Sequence, residues 1–478
     1  VSNLLTALAG SGSTTVITDP NQAPSGSGST VANFNSSAVP SYTAPTGVDA
    51  VIISGSSPTD ITGSSTTSLL VGGSGNDTIT AGGSGSIVGG AGANQINVAG
   101  SDQVISAAYG TDTINLSNGN ATISYSSTHD TLNLTGGTNT ATTAKDPNSG
   151  ALNSLNVNIT DGTNQITVGG GSINASGGNS TVDAVARSLD VTQSGGAGLS
   201  VTLDAGPYYD ATLNGTGDFT LNQTVAGGYQ VHLGGNDTVY LGAGHDTITQ
   251  TTGSTTLYGG SSDLKYTGGS GNDSITLGTG NSTIIAGNGS DTINVTSAIA
   301  TTHTSISGGS GNEQITLGMG KTTVTAGSGN ETIVAGSGKL VVNGGSGHDS
   351  ITLGSGNATV VAGTGSDTII GGTGNASITG STGNDYIVAG SGSSTLTGGG
   401  GADVFGFTAS TAPGGANVVI TDFNSSDTLN LASGGYTQQD VASTKTVSGS
   451  TVIKLTDGTT ITLKNFTSLT SSEITYAH

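Results

Sequence analysis

Short apolar runs separated by glycine recur along most of this chain. Within Ser350-Ile351-Thr352-Leu353, Ile351 and Leu353 alternate with polar neighbours, so both fall on one side of an extended strand. Gly354-Ser355-Gly356-Asn357 then interrupts, and Ala358-Thr359-Val360-Val361 begins a second short strand. The pattern predicts one flattened coil per 18 residues, with two strands and two glycine turns. Glycine and β-branched residues are too frequent for helix, except in the first few residues. The predicted fold class is all-β, a parallel β-roll or β-solenoid with 18-residue coils and a C-terminal β cap.

The cadence divides the chain. Residues 1–68 are rich in Ser, Thr, Pro, Gly and Ala and suit a cap, an assembly contact or a tether. Residues 69–134 hold a first repeat block opening on Gly72-Gly73-Ser74-Gly75-Asn76-Asp77. Residues 135–232 keep strand-length runs without regular acidic turns, either a degenerate solenoid or an inserted β-domain. The main block occupies 233–400, and 401–478 carries longer alternating strands, including a hairpin expected at Asp457-Gly458.

Composition changes the picture in two ways. With 84 glycines, 6 phenylalanines and no tryptophan, a thick globular core is hard to build, whereas stacked coils need only a thin one. Thirty acidic groups face 8 basic ones, for a net charge of -22, so cations are attracted and a nucleic-acid partner is not expected. Cysteine is absent, which excludes disulfides and thiolate metal sites. The chain has no apolar run long enough for a membrane span, and its first residues lack the basic region of a signal peptide.

The acidic residues follow the coil period. Asp273, Asp291, Glu313, Glu331, Asp349, Asp367, Asp385 and Asp403 are 18 residues apart, apart from one 22-residue step. Asp77, Asp112 and Asp130 form an earlier ladder with Gln95 at its gap, and Asp237 and Asp246 place acids on both edges of one coil. Coils stack at about 4.8 Å. Two carboxylates at that distance repel by about 3–4 kcal/mol at an effective dielectric near 20. The column therefore calls for a cation, and calcium suits carboxylates combined with turn carbonyls. Nine residues beyond Asp349, Asp367 and Asp385 stand Ala358, Ala376 and Ser394, so the opposite edge is nearly neutral.

Runs such as Gly269-Ser270-Gly271-Asn272-Asp273-Ser274-Ile275 resemble the hemolysin-type, or RTX, calcium-binding nonapeptide repeats over about 72–134 and 234–403. The resemblance implies a calcium-bound β-roll, acidic ligands at the thirteen positions above, and export from a Gram-negative bacterium by type I secretion. A C-terminal export signal would then account for the missing N-terminal one. Asp is lacking at alternate nonapeptides, which implies about half the calcium of a double ladder.

Catalysis finds little support. His129, His232, His245, His303, His348 and His478 form no zinc-protease motif, and no nucleophile elbow or phosphate loop is present. His245 and His348 read as solvated turn residues. A polysaccharide epimerase or lyase would need clustered basic residues, and the eight Lys and Arg are scattered in sequence. The expected function is a non-catalytic subunit of a surface layer or extracellular matrix, assembled by calcium. Its composition resembles that of calcium-dependent surface-layer proteins. Expected partners are further copies of the chain and a cell-surface polysaccharide or lipopolysaccharide. The alternatives are a calcium-rigidified adhesin or, less well matched because Ser274, Thr292, Gln314 and Tyr386 break any threonine file, an ice-binding face.

Overall fold

The structure is a computed structural model. It describes all residues except 1–13, 26–27, 100–101, 108, 126–129, 144–152, 185–187, 196–197, 204–209, 216–218, 225–226, 298, 409–414 and 478. His129, His478, Lys145 and Arg187 therefore lie outside the described residues. Two units are distinguished, residues 1–238 and 239–478.

Each unit is a parallel β-solenoid, as the alternation implies. In the second unit the register runs Ser274, Thr292, Gln314, Thr332, Ser350, Thr368, Tyr386 and Val404 on one face. The residue after each points inward. Ile275, Ile293, Ile315, Ile333, Ile351, Ile369 and Ile387 form a fully buried file that ends on Phe405 and Leu429. Ile284, Ile306, Val324, Val342, Val360, Ile378 and Leu396 form the facing file. The core thus centres on two stacked apolar columns, each supplied by one residue per coil and flanked by buried residues such as Leu277, Val295, Ala286 and Ala326.

The first unit builds the same coil with less regular steps. Strands at Ser29–Asn35, Ala50–Ser54 and Leu69–Val71 pair in parallel with Val31, Ala50 and Leu69 aligned, so regular coils already exist upstream of the first glycine-aspartate turn. An apolar file descends through Ile61, Ile79, Ile96, Ile114, Leu132, Val157, Ile173 and Val191. Parallel pairing persists through the irregular region, where Leu199 aligns with Phe219. Outside this file runs an amide ladder: Asn115 donates to Asn97 (2.8 Å), Asn133 to Asn115 (2.7 Å), Asn158 to Asn133 (2.8 Å) and Asn174 to Asn158 (3.0 Å).

The last coils are closed by antiparallel strands. Ser450–Leu455 pairs with Val441–Val447 and, across the Asp457-Gly458 turn, with Thr460–Leu463. Thr460–Leu463 also pairs in parallel with Asn417–Ile420, which joins the cap to the solenoid. Phe423 packs on Phe405 (6.0 Å between ring centres) and Phe466 (5.0 Å) beneath it. The edge of the terminal coil is thereby paired rather than exposed. Among the described residues the helical segments are two 3-10 turns, Ala432–Gly434 and Gln438–Asp440.

Candidate metal centre

Every acidic residue of the main column immediately precedes a strand, where the chain leaves a glycine turn, and is buried. Asp273, Asp291, Glu313, Glu331, Asp349, Asp367, Asp385 and Asp403 are each at most 3% exposed. They are stacked by the strand register, since the residue after each aligns with its counterpart one coil on.

The aspartates are tied together by backbone donors. The amide of Asp349 donates to Asp367 Oδ1 (2.8 Å), that of Asp367 to Asp385 Oδ1 (2.8 Å), and that of Asp385 to Asp403 Oδ1 (2.9 Å). The amide of Asp273 likewise donates to Asp291 Oδ1 (2.7 Å). One oxygen per carboxylate therefore closes the gap between coils. Repulsion along the column is met first by these bonds, a device the residue spacing alone did not reveal.

The other oxygen is left over. Oδ2 of Asp291, Asp349, Asp367, Asp385 and Asp403 is buried without a hydrogen-bond partner, as are both carboxylate oxygens of Glu313 and Glu331. Asp273 differs, because the Tyr266 hydroxyl donates to its Oδ2 (2.7 Å). Burial pushes most of these carboxyls upward. Asp273 and Asp385 are raised to about 6, and Asp291, Asp367 and Asp403 are raised as well. Burial, with Asp349 and Glu313 beside it, raises Glu331 to about 9. The longer glutamate side chain thus interrupts the amide-to-carboxylate ladder and sets two carboxyls against each other.

The residues present fit a hard divalent cation. A Cβ added at Gly344 would collide with both Asp349 Oδ2 and the Ala362 carbonyl oxygen. At Gly380 it would collide with Asp385 Oδ2 and lie 2.6 Å from the Gly398 carbonyl oxygen. Orphaned carboxylate and carbonyl oxygens thus converge on space that only glycine leaves open. Among the described residues no three acidic or histidine side chains converge. Carbonyls must therefore complete any ligand set, a mixture calcium accepts and zinc does not favour.

The remaining predicted residues fall in three places. In the first unit Asp77, Asp112 and Asp130 are buried in one column. Its gap is filled by Asn94, not Gln95: the Asp77 amide donates to Asn94 Oδ1 (2.9 Å) and the Asn94 amide to Asp112 Oδ1 (2.9 Å). That coil is one residue shorter, which turns Gln95 outward. Asp112, raised to about 6 by burial, has an orphaned Oδ2. Asp237 is buried at the start of the strand Asp237–Tyr240. Asp246 is buried on the opposite edge of the second unit, where the Ser262 hydroxyl donates to it. From there the inward file of that edge is uncharged, running Leu264, Ser282, Thr304, Thr322, Leu340, Ala358, Ala376 and Ser394.

Asp427 belongs to the main column and was missed. Its Oδ1 accepts the Asp403 amide (3.0 Å), and it is 3% exposed. The signal was Asp427-Thr428-Leu429, which repeats Asp403-Val404-Phe405 after a 24-residue step instead of 18. The turn histidine His348 is exposed yet structural, because its Nδ1 accepts the Ser366 amide (3.0 Å). His245 lies 3.4 Å from Asp263.

A family model described as the RTX calcium-binding nonapeptide repeat (4 copies) matches residues 62–96, 233–249, 267–297 and, in overlapping segments, 325–406. The matched segments contain Asp77, Asp237, Asp246, Asp273, Asp291 and the column from Glu331 to Asp403, while Asp112, Asp130, Glu313 and Asp427 fall outside them. No curated protein matches the chain.

Proposed function

We propose, from the match of parts of this chain to the RTX calcium-binding nonapeptide repeat, that it is a structural subunit of a Gram-negative bacterial surface layer or extracellular matrix, folded and assembled by calcium. The matched repeats are described as calcium-binding.

Calcium would be held by the orphaned oxygens of Asp291, Glu313, Glu331, Asp349, Asp367, Asp385 and Asp403, with Asp77, Asp112, Asp130, Asp237, Asp246 and Asp273 as further ligands. When bound, calcium supplies the positive charge that offsets these buried carboxylates. The chain's own part is to present them: the strand register stacks the side chains, the amide bonds orient one oxygen, and glycine leaves room beside the other. Binding energy then appears as folding energy.

The observation that carries the reading is the difference between the two edges of the second unit. Metal closes the acidic edge, and the inward file from Leu264 to Ser394 gives the other no column of buried carboxylates. An edge free of stacked carboxylates and backed by rigid coils suits contact with further copies, and an anchoring glycan belongs to the same reading. Electron microscopy of chelator-treated protein, before and after millimolar calcium, tests it. Ordered sheets or tubes are expected with calcium, and dispersed single particles at every calcium concentration would refute assembly.

A further inference from the structure

The net charge of -22 misdescribes the outside of the second unit. Between residues 239 and 407 all but one of the acidic side chains are buried, and the exception, Asp263, faces His245. The lysines there are Lys265, Lys321 and Lys339, and all three are exposed. The surface charge of these coils is therefore set by lysine, opposite in sign to the chain total.

Two of these lysines, distant in sequence, come together in space. A groove of about 500 Å³ is lined by Lys265, Lys321, His245 and His303, by Asp263, which pairs with His245, and the buried Asp246, and by Asn281 and the hydroxyls of Thr247, Thr283, Ser305 and Thr323. The register explains it. His303 aligns with Lys321, and Thr247 with Lys265, Thr283, Ser305 and Thr323, on outward positions of successive coils. Lys339 follows one coil on, just before Leu340, which aligns with Thr322.

We propose that this groove binds a carboxylate-bearing polysaccharide lying along the stacking direction of the coils. Successive coils repeat at about 4.8 Å, close to the rise of one pyranose ring in an extended glycan. A uronic-acid chain can therefore run along the file of His303, Lys321 and Lys339, turning those of its carboxylates that face the coils toward these side chains. Threonine, serine and asparagine match sugar hydroxyls with neutral donors and acceptors. No Tyr, Phe or Trp lines the groove, so it lacks the stacking platform of a single-stranded nucleic-acid site. The proposal gives the anchoring glycan of the surface reading a chemistry and a site, and rests on that reading for its biological setting alone.

The test is fluorescence anisotropy of a labelled oligogalacturonate titrated with the full chain in millimolar calcium. Saturable binding is expected, weakened at least tenfold by Lys265→Glu/Lys321→Glu and by raised salt, and unchanged by Lys445→Glu on the cap. The milder Lys265→Gln/Lys321→Gln pair guards against misfolding, with calcium-dependent circular dichroism as the check. Undiminished binding by the folded double variants would overturn the proposal, because it would mean calcium bridging to the acidic column. Equal binding of neutral dextran or of single-stranded DNA would overturn it as well. Binding by protein that forms no lattice would leave the groove standing and refute assembly alone.

Discussion

At the scale of single residues, the column gives each carboxylate two tasks. In Asp367, Oδ1 accepts the Asp349 amide and Oδ2 is buried without a partner. Asp367→Ala removes both. It leaves a buried amide unsatisfied, at a cost of about 1–3 kcal/mol, and removes one cation ligand. Without calcium it also relieves a buried negative charge. The expected outcome is a smaller difference between the calcium-loaded and chelated melting temperatures, read by thermal denaturation of each form. Ala358→Asp, in the uncharged inward file, should lower both melting temperatures and leave their difference as in the parent; equal effects of the two variants on that difference would contradict the one-edge account. Glycine supplies a second test at this scale. Gly344→Ala pushes a methyl group into Asp349 Oδ2 and the Ala362 carbonyl, so overpacking of about 1–3 kcal/mol is expected together with weaker calcium binding by titration calorimetry.

At the scale of the coil, proton and metal compete for the same oxygens. Burial raises Asp273 and Asp385 to about 6, against 3.8 for the unperturbed group. Between those values the folded, metal-free chain binds more protons than the unfolded one. The calcium-free protein should therefore gain stability as pH falls from about 7 toward 4, the reverse of the usual acid denaturation. Calcium-loaded protein should lose metal and stability through the same window. Parallel melting curves in chelator and in calcium, taken from pH 7.5 to about 4.5, check both signs. The coil is also the scale at which the sequence was most legible. Where steps are 18 residues, as from Glu331 to Asp403, strands, turns and column could be read directly. Where the step changes, the column was lost: a 17-residue step hid Asn94, and a 24-residue step hid Asp427. Coils between residues 29 and 71 were not recognised because their turns lack the glycine-aspartate signature, although Val31, Ala50 and Leu69 keep the register. In the first unit, asparagines such as Asn133 and Asn158 continue the stacking with neutral amides, which removes the acidic signal while keeping the fold.

At the scale of the whole molecule, composition proved a weaker guide than placement. The charge of -22 suggests an acidic surface, yet the main column is buried and the exposed charge on the second unit's coils is chiefly lysine. What composition does convey is the small reserve of apolar packing. Stability must then come from backbone ladders, stacked amides and metal, and a chain of this kind depends strongly on its cation. The most direct measurement is a calcium titration of chelated protein by far-ultraviolet circular dichroism, with bound calcium counted at each point by equilibrium dialysis. The account predicts that strand signal and bound calcium rise together, and that Asp367→Ala lowers the number bound. Full strand signal in chelator at neutral pH, with no further change as calcium binds, would contradict it.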